Sequence, residues 1–327
     1  MNNRQSIVVT GGAGYVGSVV TTYLLLAGFR VIVVDRLAAG GESLLGFVNR
    51  PDFELVVGDV RDSGVMDHAL GGAAAVVHLA AVVGEPACAA DENEARSINL
   101  DGARSVLEMA ARKRVPRLVL VSTCSNYGVS SPDVLADEDA PLNPLGIYAS
   151  SKVEAELAGL RDDGAVLVCV LRLATICGLS PRMRFDLLVN DIARAVVLGD
   201  TVELFAPDAW RPFVHIGDVA RASEWALRAP ADIVRGRVFN VVGENYRKRD
   251  LVKLVLRHFP DASFELTNAT LDARDYRVSG ERIRREGGFE TRYTVEDALV
   301  TIAGAVRGGA FRDPRWNGYA AAPIVTR

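Results

Sequence analysis

The stretch Ile7-Val8-Val9-Thr10-Gly11-Gly12-Ala13-Gly14-Tyr15-Val16-Gly17 decides the fold of this chain. Its apolar start predicts a buried strand, and the leucines at 24–26 belong to a helical pattern that follows the glycines. Gly11 permits a tight turn, Gly14 lets the backbone approach a pyrophosphate, and Gly17 lets the helix pack on the strand. Because the first amides of a helix attract such an anion, the stretch predicts a dinucleotide-binding site.

The residue pair that ends the next strand bears on which dinucleotide is bound. Val31 to Val34 is apolar and is followed by Asp35 and Arg36. A carboxylate here accepts hydrogen bonds from the ribose hydroxyls of NAD and repels the extra phosphate of NADP. Arg36 would favour NADP if its guanidinium pairs with that phosphate, but an arginine at this place is also typical of a solvated side chain. The sequence favours NAD.

Composition limits the partners. The chain has 327 residues, of which 49% are hydrophobic and 24% charged, and its net charge is −4. This is enough apolar material for a large buried core. A small negative charge gives no reason to expect nucleic acid or an anionic membrane surface as a partner. The apolar run 166–178 contains Arg172 and is too short to cross a bilayer.

The cysteines and the amino terminus bear on metals and compartment. Cys88, Cys124, Cys169 and Cys177 form no CxxC pair, and the four histidines are scattered, so no metal site is expected. Met1 to Ser6 is short, polar and followed directly by the first strand. It has no room for a signal peptide, and we expect a cytoplasmic protein.

Strand-like and helix-like runs alternate through the first half. The predicted strands are Ile7–Thr10, Arg30–Asp35, Phe53–Gly58, Ala75–Leu79, Leu118–Ser122 and Val166–Leu173. They are almost wholly apolar, as parallel strands covered on both faces must be. The connections hold predicted helices, notably Asn93–Arg114 and Tyr148–Leu160. This alternation predicts an α/β fold with a doubly wound parallel Rossmann sheet.

The pattern becomes irregular after Leu173. Prolines interrupt it, shorter helices follow, and Val238–Val241 is predicted as one more buried strand. We interpret this half as a smaller, mixed α/β substrate lobe over the carboxyl ends of the strands. The expected division is 1–172 with about 213–242 for the NAD-binding domain, and about 173–212 with 243–327 for the substrate lobe.

Tyr148 and Lys152 are four residues apart in a predicted helix, so their side chains share one face. A free tyrosine has a pKa of about 10 and is a poor base at neutral pH. A neighbouring ammonium group and the nicotinamide cation stabilise the phenolate and lower that pKa. The pair therefore predicts a proton-transfer site.

Hydroxyl groups follow the strand that begins at Leu118. Ser122 and Thr123 stand at its carboxyl end, where a substrate is expected to lie. One hydroxyl is expected to share a proton with the tyrosine, and the other to cap the following turn. We assign the capping role to Ser122 and the functional role to Thr123.

Taken together, these motifs resemble the extended short-chain dehydrogenase/reductases, in particular the nucleotide-sugar epimerase/dehydratase family. The resemblance rests on 10–17, 58–62 (GDVRD), 78–81 (HLAA), Asn99, the hydroxyl-rich strand end before Tyr127, Tyr148–Lys152 and 210–220 (WRPFVHIGDVA). It covers nearly the whole chain. It is specific for the family and much less so for the reaction.

The resemblance implies a role for each position of the site. Those expected around the pyrophosphate are Gly11, Gly14, Tyr15, Val16 and Gly17. Those expected along the rest of the cofactor are Asp35 and Arg36 at the ribose, Asp59 and Val60 at the adenine, Leu79, Ala80, Ala81 and Asn99, with Tyr148 and Lys152 at the nicotinamide end. The implied catalytic residues are Thr123, Tyr148 and Lys152. The implied substrate contacts are Cys124, Ser125, Asn126, Thr175, Asn190, Arg211 and Arg274, with Arg211 on the diphosphate.

Two departures from the family pattern matter. In the 4,6-dehydratases of the family an Asp-Glu pair follows the catalytic threonine, and Cys124 and Ser125 stand there instead. In the epimerases an asparagine usually occupies the place of Thr175. Cys124 is left as a candidate acid/base group, since thiols act so in some sugar epimerases of the family.

The expected function is an NAD-dependent nucleotide-sugar epimerase, most simply at C4, that works through a transient keto-sugar. The alternatives are a ketoreductase or dehydrogenase of a nucleotide-activated sugar, and a cofactor-binding protein without activity. Intact Tyr148 and Lys152 argue against the last. The family resemblance also implies a homodimer.

Overall fold

The computed structural model describes residues 4–129, 134–161, 164–269 and 274–321. Its fourteen strands in those ranges are β1 (Ser6–Thr10), β2 (Arg30–Asp35), β3 (Phe53–Val57), β4 (Ala75–His78), β5 (Arg117–Thr123), β6 (Leu135–Ala136), β7 (Leu167–Leu173), β8 (Thr175–Cys177), β9 (Val202–Phe205), β10 (Trp210–His215), β11 (Arg237–Val241), β12 (Glu244–Arg247), β13 (Phe264–Thr267) and β14 (Arg277–Val278).

Helices separate most of these strands. Within the same ranges they are α1 (Tyr15–Leu26), α2 (Ser63–Ala69), α3 (Glu85–Ala90), α4 (Glu92–Arg96), α5 (Gly102–Arg112), α6 (Ile147–Leu160), α7 (Leu188–Leu198), α8 (Ile216–Arg228), α9 (Ala231–Val234), α10 (Lys248–His258), α11 (Glu281–Gly287) and α12 (Val295–Arg307). Short 3₁₀ turns occupy Glu42–Phe47, Cys124–Tyr127 and Asn317–Tyr319.

A seven-stranded parallel sheet forms the centre, in the order β3-β2-β1-β4-β5-β7-β11. The chain starts in the middle, since Ile7 of β1 pairs with Val31 of β2 on one side and Ala75 of β4 on the other. The strand order therefore reverses direction at β1, and a sheet of this kind binds ligands outside its strand ends at that point. The predicted doubly wound Rossmann fold is confirmed.

Both faces of the sheet are covered, which explains why the strands are apolar at every position. Ile7, Val9 and Val31 belong to a buried cluster on one face that includes residues of α1 and α8. Val8 and Ile32, the alternate residues, belong to a cluster on the other face with residues of α2 and α5. Successive side chains of a strand point to opposite faces, so two covered faces require an unbroken apolar run.

Smaller sheets and a third core lie in the second half. The sets are β12-β10-β8, β13-β9 and β14-β6. A separate buried cluster joins α7, α10 and α12, while Val16 and Val19 of α1 pack against both this cluster and that of the large sheet. Phe213 pairs with Thr175 across β10 and β8, so residues 213–215 lie in the small sheet rather than in the Rossmann sheet. The domain bounds as a whole stay a prediction, and residues 1–3 and 322–327 lie outside the described chain.

The predicted helix Asn93–Arg114 is interrupted in the structure. It consists of α4, a π-helical turn at Ser97–Asp101, and α5. The Asn99 side chain lies in this turn and bonds the backbone of Val82. At the start of α5, a Cβ on Gly102 would lie 3.0 Å from the Val60 side chain, so a larger residue would have to displace Val60. Such turns commonly place a residue at a functional site.

Candidate active site

A cavity of about 870 Å³ runs along the carboxyl ends of the sheet strands. Residues that follow β1, β2, β3, β4, β5 and β7 all contribute to its wall. The predicted cofactor residues that line it are Gly11, Gly14, Tyr15, Val16, Gly17, Asp35, Arg36, Asp59, Val60, Leu79, Ala80 and Ala81. Sequence motifs that are far apart in the chain therefore meet around one space.

The glycines of the first turn are required by geometry. Gly11 has φ +72°, in the left-handed region, and a Cβ there would lie 2.8 Å from the Ala80 amide. A Cβ on Gly17 would lie 2.0 Å from the Gly11 carbonyl oxygen. Gly14 is the N-cap of α1 and has no side chain to cover the helix end. The first amides of α1 thus remain suitable for a pyrophosphate.

Asp35 lies at the cavity end of β2 and is fixed there by two backbone amides. Its Oδ2 accepts from Ala13 at 2.9 Å and its Oδ1 from Leu37 at 2.8 Å. Burial raises the pKa of this carboxyl, and the two amides lower it. An oriented carboxylate beside an open helix end and a glycine turn fits an adenosine ribose next to a pyrophosphate.

The predicted catalytic group lies farther along the same cavity. Thr123 ends β5, whereas Tyr148 and Lys152 lie one turn apart on α6, and all three line the wall. Lys152 is 4% exposed, so its ammonium group faces a nearly closed environment. The spacing read from the sequence is what places the phenol and the amine in one cavity.

The structure gives Tyr148 an acidity opposite to the sequence expectation. Burial raises the pKa of Tyr148 to about 12, the nearby Cys88 acts in the same direction, and Arg184 and Arg274 oppose them. Lys152 is not among the main influences on that pKa. Burial lowers the pKa of Lys152 to about 8, against the attraction of Glu156. In the protein alone, burial therefore favours the neutral phenol of Tyr148 and makes the Lys152 ammonium easier to deprotonate than a free lysine.

The two hydroxyls at the end of β5 exchange their expected roles in part. Thr123 Oγ1 accepts from the Ser125 amide at 3.1 Å, so Thr123 caps the turn. Ser122 instead donates to the buried Glu156 carboxylate. The capping assignment for Ser122 was wrong because its hydroxyl bonds the Glu156 carboxylate of α6 instead of the following turn. Thr123 still lines the cavity, and its hydroxyl proton is not used by the cap.

Five predicted contacts do not line the cavity. Cys124 and Asn126 face the interior, where Cys124 contacts the Arg172 carbonyl oxygen and Asn126 donates to Glu156. Burial raises the pKa of the Cys124 thiol, which opposes an acid/base role at neutral pH. The other three predicted contacts absent from the wall are Asn99, Asn190 and Arg211.

These last three support the wall from behind. Asn99 accepts from the Val82 amide at 2.8 Å and so fixes the segment after β4. Asn190 donates to the Tyr15 hydroxyl and to the Arg184 carbonyl. Arg211 is 4% exposed and donates to the Arg274 carbonyl. In each case a polar side chain is used to bond the backbone or a neighbouring side chain, rather than to face the cavity.

The remaining predicted substrate contacts do line the wall. They are Ser125, Thr175 and Arg274. Arg274 Nη1 donates to Ser125 Oγ at 3.0 Å, which places a cation and a hydroxyl next to Thr123. Their roles toward a substrate remain predictions.

Glu85 is a wall residue that the sequence reasoning missed. Its carboxylate oxygens accept from the Tyr148 and Ala149 amides, at 3.4 Å each, and so lie at the start of α6. A Cβ on Gly146 would lie 2.2 Å from this carboxylate, so the glycine makes room for it. A glutamate directly after Gly84, close behind the HLAA segment, was the available signal.

Two arginines were also missed. Arg182 and Arg184 line the cavity together with Asp186, which pairs with Arg184. Arg182 donates to the carbonyl of Ala320 at 2.9 Å, and Ala320 and Ala321 are themselves part of the wall. With Arg274, three guanidinium groups therefore border the space beyond Tyr148. Alternating arginines soon after a predicted strand were the signal in the sequence.

Comparison with known proteins gives the family. The model of the NAD dependent epimerase/dehydratase family matches residues 7–242. The chain belongs to this family. A UDP-glucose 4-epimerase of Corynebacterium glutamicum is 30% identical over 323 residues, 90% of this chain and 94% of its own. A dTDP-glucose 4,6-dehydratase of Streptomyces niveus is 28% identical over 311 residues, 90% of each chain.

A solved structure agrees in fold. DesIV, a dTDP-glucose 4,6-dehydratase of Streptomyces venezuelae with NAD bound, superimposes with a TM-score of 0.83 at 26% identity, covering 96% of this chain and 100% of its own. The predicted membership of the extended short-chain dehydrogenase/reductases and the predicted cofactor NAD are both confirmed. In the described part of the chain, no helix is long and apolar enough to cross a membrane.

Proposed function

We propose that this protein is an NAD-dependent nucleotide-sugar epimerase that acts at C4. One observation carries the proposal: the wall beside Thr123 presents the hydroxyl of Ser125, while Cys124 is turned into the interior. Elimination of water across C5 and C6 needs one group to remove a proton and another to protonate the leaving hydroxyl. The positions where the family's dehydratases carry that pair provide no carboxyl group here.

The two carboxylates that line the wall near Tyr148 and the arginines are bonded to other groups. Asp186 pairs with Arg184, and Glu85 accepts from the first amides of α6. Neither residue stands directly after Thr123, where the dehydratases of the family carry their acid/base pair. Proton transfer at a single hydroxyl, by contrast, needs only the phenol of Tyr148 with the hydroxyl of Thr123 beside it. Epimerisation requires no more acid/base chemistry than this.

The chain's residues divide the work as follows. Bound NAD would accept a hydride from the sugar and return it. Tyr148 takes the proton of the reacting hydroxyl and gives it back. Arg184 and Arg274 lower the pKa of Tyr148 against the effect of burial, which favours the phenolate that this transfer needs, while Lys152 would hold the ribose of the nicotinamide. Thr123 holds the same oxygen by a hydrogen bond.

The three arginines indicate the class of substrate. A sugar nucleotide carries a diphosphate, and guanidinium groups pair with phosphate oxygens through two parallel hydrogen bonds. Arg182 donates to the carbonyl oxygens of Met183 and Ala320, which carry no full charge, so a diphosphate would supply the negative charge that these lack. We assign the diphosphate to Arg182 and Arg184 rather than to the buried Arg211.

The test is the mass of the product. Purified protein is incubated with UDP-glucose, dTDP-glucose or UDP-glucuronic acid, and the sugar nucleotides are separated and weighed. We expect an isomer of unchanged mass with no accumulation of NADH. A product lighter by one water would overturn the proposal, and stoichiometric NADH release would establish the dehydrogenase alternative instead.

Tyr148→Phe provides the internal control for that experiment. It removes one hydroxyl from the cavity and keeps the ring, so turnover falls by about 10²-fold or more while NAD still binds. Tyr293→Phe makes the same change at a tyrosine that is 44% exposed and should leave turnover unchanged. Isomerisation that survives in the Tyr148 variant would show that another group moves the proton.

A further inference from the structure

Arg36, the residue next to the ribose-binding Asp35, is held by two acidic side chains. Its Nη1 lies 3.5 Å from Asp59 Oδ2 and 3.4 Å from Glu94 Oε1. Asp59 follows β3 and lines the cavity, whereas Glu94 comes from α4, behind it. The side chains of Arg36 and Glu94 are 26% and 20% exposed, so water screens the pair only in part.

Arg61 completes the arrangement. It donates to Asp59 through Nη2 at 2.7 Å and to Glu94 through Nη1 at 2.9 Å. Burial by itself would raise the pKa of Asp59, but the hydrogen bonds from Arg61 lower it, and they lower the pKa of Glu94 as well. With Asp35, this end of the cavity holds three carboxylates and two guanidinium groups, which leaves one net negative charge.

We propose that Glu94 is a second determinant of cofactor choice, acting on NADP through Arg36. An arginine at this place would ordinarily pair with the 2′-phosphate that distinguishes NADP from NAD. Glu94 and Asp59 already pair with the Arg36 guanidinium, so the phosphate must compete with existing ion pairs. Asp35 thus repels the phosphate directly, and Glu94 pairs with the Arg36 guanidinium that would otherwise attract it.

The carboxylate of Glu94 is separable from its role in folding. The backbone amide of residue 94 is capped by the Asp91 side chain at 3.0 Å, so the start of α4 does not depend on the Glu94 side chain. Replacement by glutamine keeps the size and one of the two oxygens that accept from Arg61, and it removes the charge that holds Arg36. Glu92, exposed on the same helix, offers the same change of charge away from Arg36.

The experiment is a binding cycle with NAD and NADP. The dissociation constants of both are measured by calorimetry on nucleotide-free protein for the native chain, Asp35→Ser, Asp35→Ser/Glu94→Gln and Asp35→Ser/Glu92→Gln, with melting temperatures as the check of folding. In the Asp35→Ser background, we expect Glu94→Gln to tighten NADP binding by about five- to tenfold, the scale of one partly screened charge pair. NAD binding should stay unchanged.

Three results would overturn the proposal. One is equal NADP affinity with and without Glu94→Gln. Another is a gain of the same size from Glu92→Gln, which would show a general charge effect. The third uses Arg36→Gln added to Asp35→Ser/Glu94→Gln: the gain must vanish, because it depends on Arg36, and a gain that persists contradicts the mechanism. The melting temperature of Asp35→Ser/Glu94→Gln must stay close to that of Asp35→Ser, so that a change in affinity reports binding rather than folding.

Discussion

The two ends of the cavity, one of which we assign to the cofactor and the other to the substrate, differ in how their walls are built. The cofactor end consists of backbone turns and the first residues after strands, such as Gly11, Asp35 and Ala80, which are close to one another in the Rossmann topology. The substrate end consists of side chains from separate connections, such as Glu85, Arg182 and Arg274. A wall that is formed by local backbone geometry can be predicted from a short sequence motif. A wall made by long side chains depends on how distant segments pack.

The largest effect that separates the two ends is expected at Gly17. Gly17→Ala places a Cβ 2.0 Å from the Gly11 carbonyl, and overpacking of this kind costs about 1–3 kcal/mol. Because the altered turn must relax before it can hold the pyrophosphate, we expect NAD affinity to fall by about 50-fold. Calorimetry measures this change.

Gly304→Ala is the matched control. Gly304 is an exposed residue inside α12, and a Cβ there would have no atom within 4 Å in the described structure. Alanine at this position should leave NAD affinity unchanged and raise the free energy of unfolding slightly. Unaltered NAD binding in the Gly17 variant would mean that the turn is not the pyrophosphate site.

A smaller effect is expected at the substrate end. Arg182→Met keeps most of the side-chain length and removes the guanidinium, so the KM for the sugar nucleotide should rise about tenfold while NAD affinity is retained. Arg182→Lys should recover part of the loss. Arg285→Met, at a side chain 70% exposed, controls for the loss of one positive charge. A parallel loss of NAD affinity would show that the two ends are not independent.

The smallest effect concerns stability at the place where the ends meet. Burial lowers the pKa of Lys152 in the folded protein to about 8, below its value in the unfolded chain. At pH 7 the protein therefore buries a charged ammonium group when it folds, which lowers the free energy of unfolding. This cost disappears between about pH 8 and 10, where Lys152 loses its proton in the folded protein. Lys152→Met should raise the melting temperature at pH 7 by about 2–4 °C. The rise should shrink as the pH approaches 10, and a lower melting temperature at pH 7 would contradict it.

The sequence predicts the sheet well because its strands carry a strong physical signal. Each strand must be apolar on both faces. No end of an observed strand in the central sheet differs from its predicted position by more than one residue. The short strands of the second half, such as β8 and β9, have few buried positions and give no such signal. They form because other segments pair with them.

Side-chain direction is what the sequence does not contain. Cys124 and Ser125 are neighbours in one tight turn, and only the turn's geometry sends the first inward and the second to the cavity. Asn190 and Arg211 are polar residues at plausible places, but distant backbone groups bond them. The homodimer and the cytoplasmic location also remain predictions.

The position of Tyr319 and Ala320 at the cavity decides where an affinity tag should be placed. Tyr319 accepts from the Phe185 amide through its carbonyl at 2.7 Å, and Ala320 accepts from Arg182, so this stretch closes one side of the cavity. Any affinity tag fused behind residue 321 would be carried beside the mouth of the active site. Protein prepared for assays and for ligand soaks should therefore carry its tag before β1.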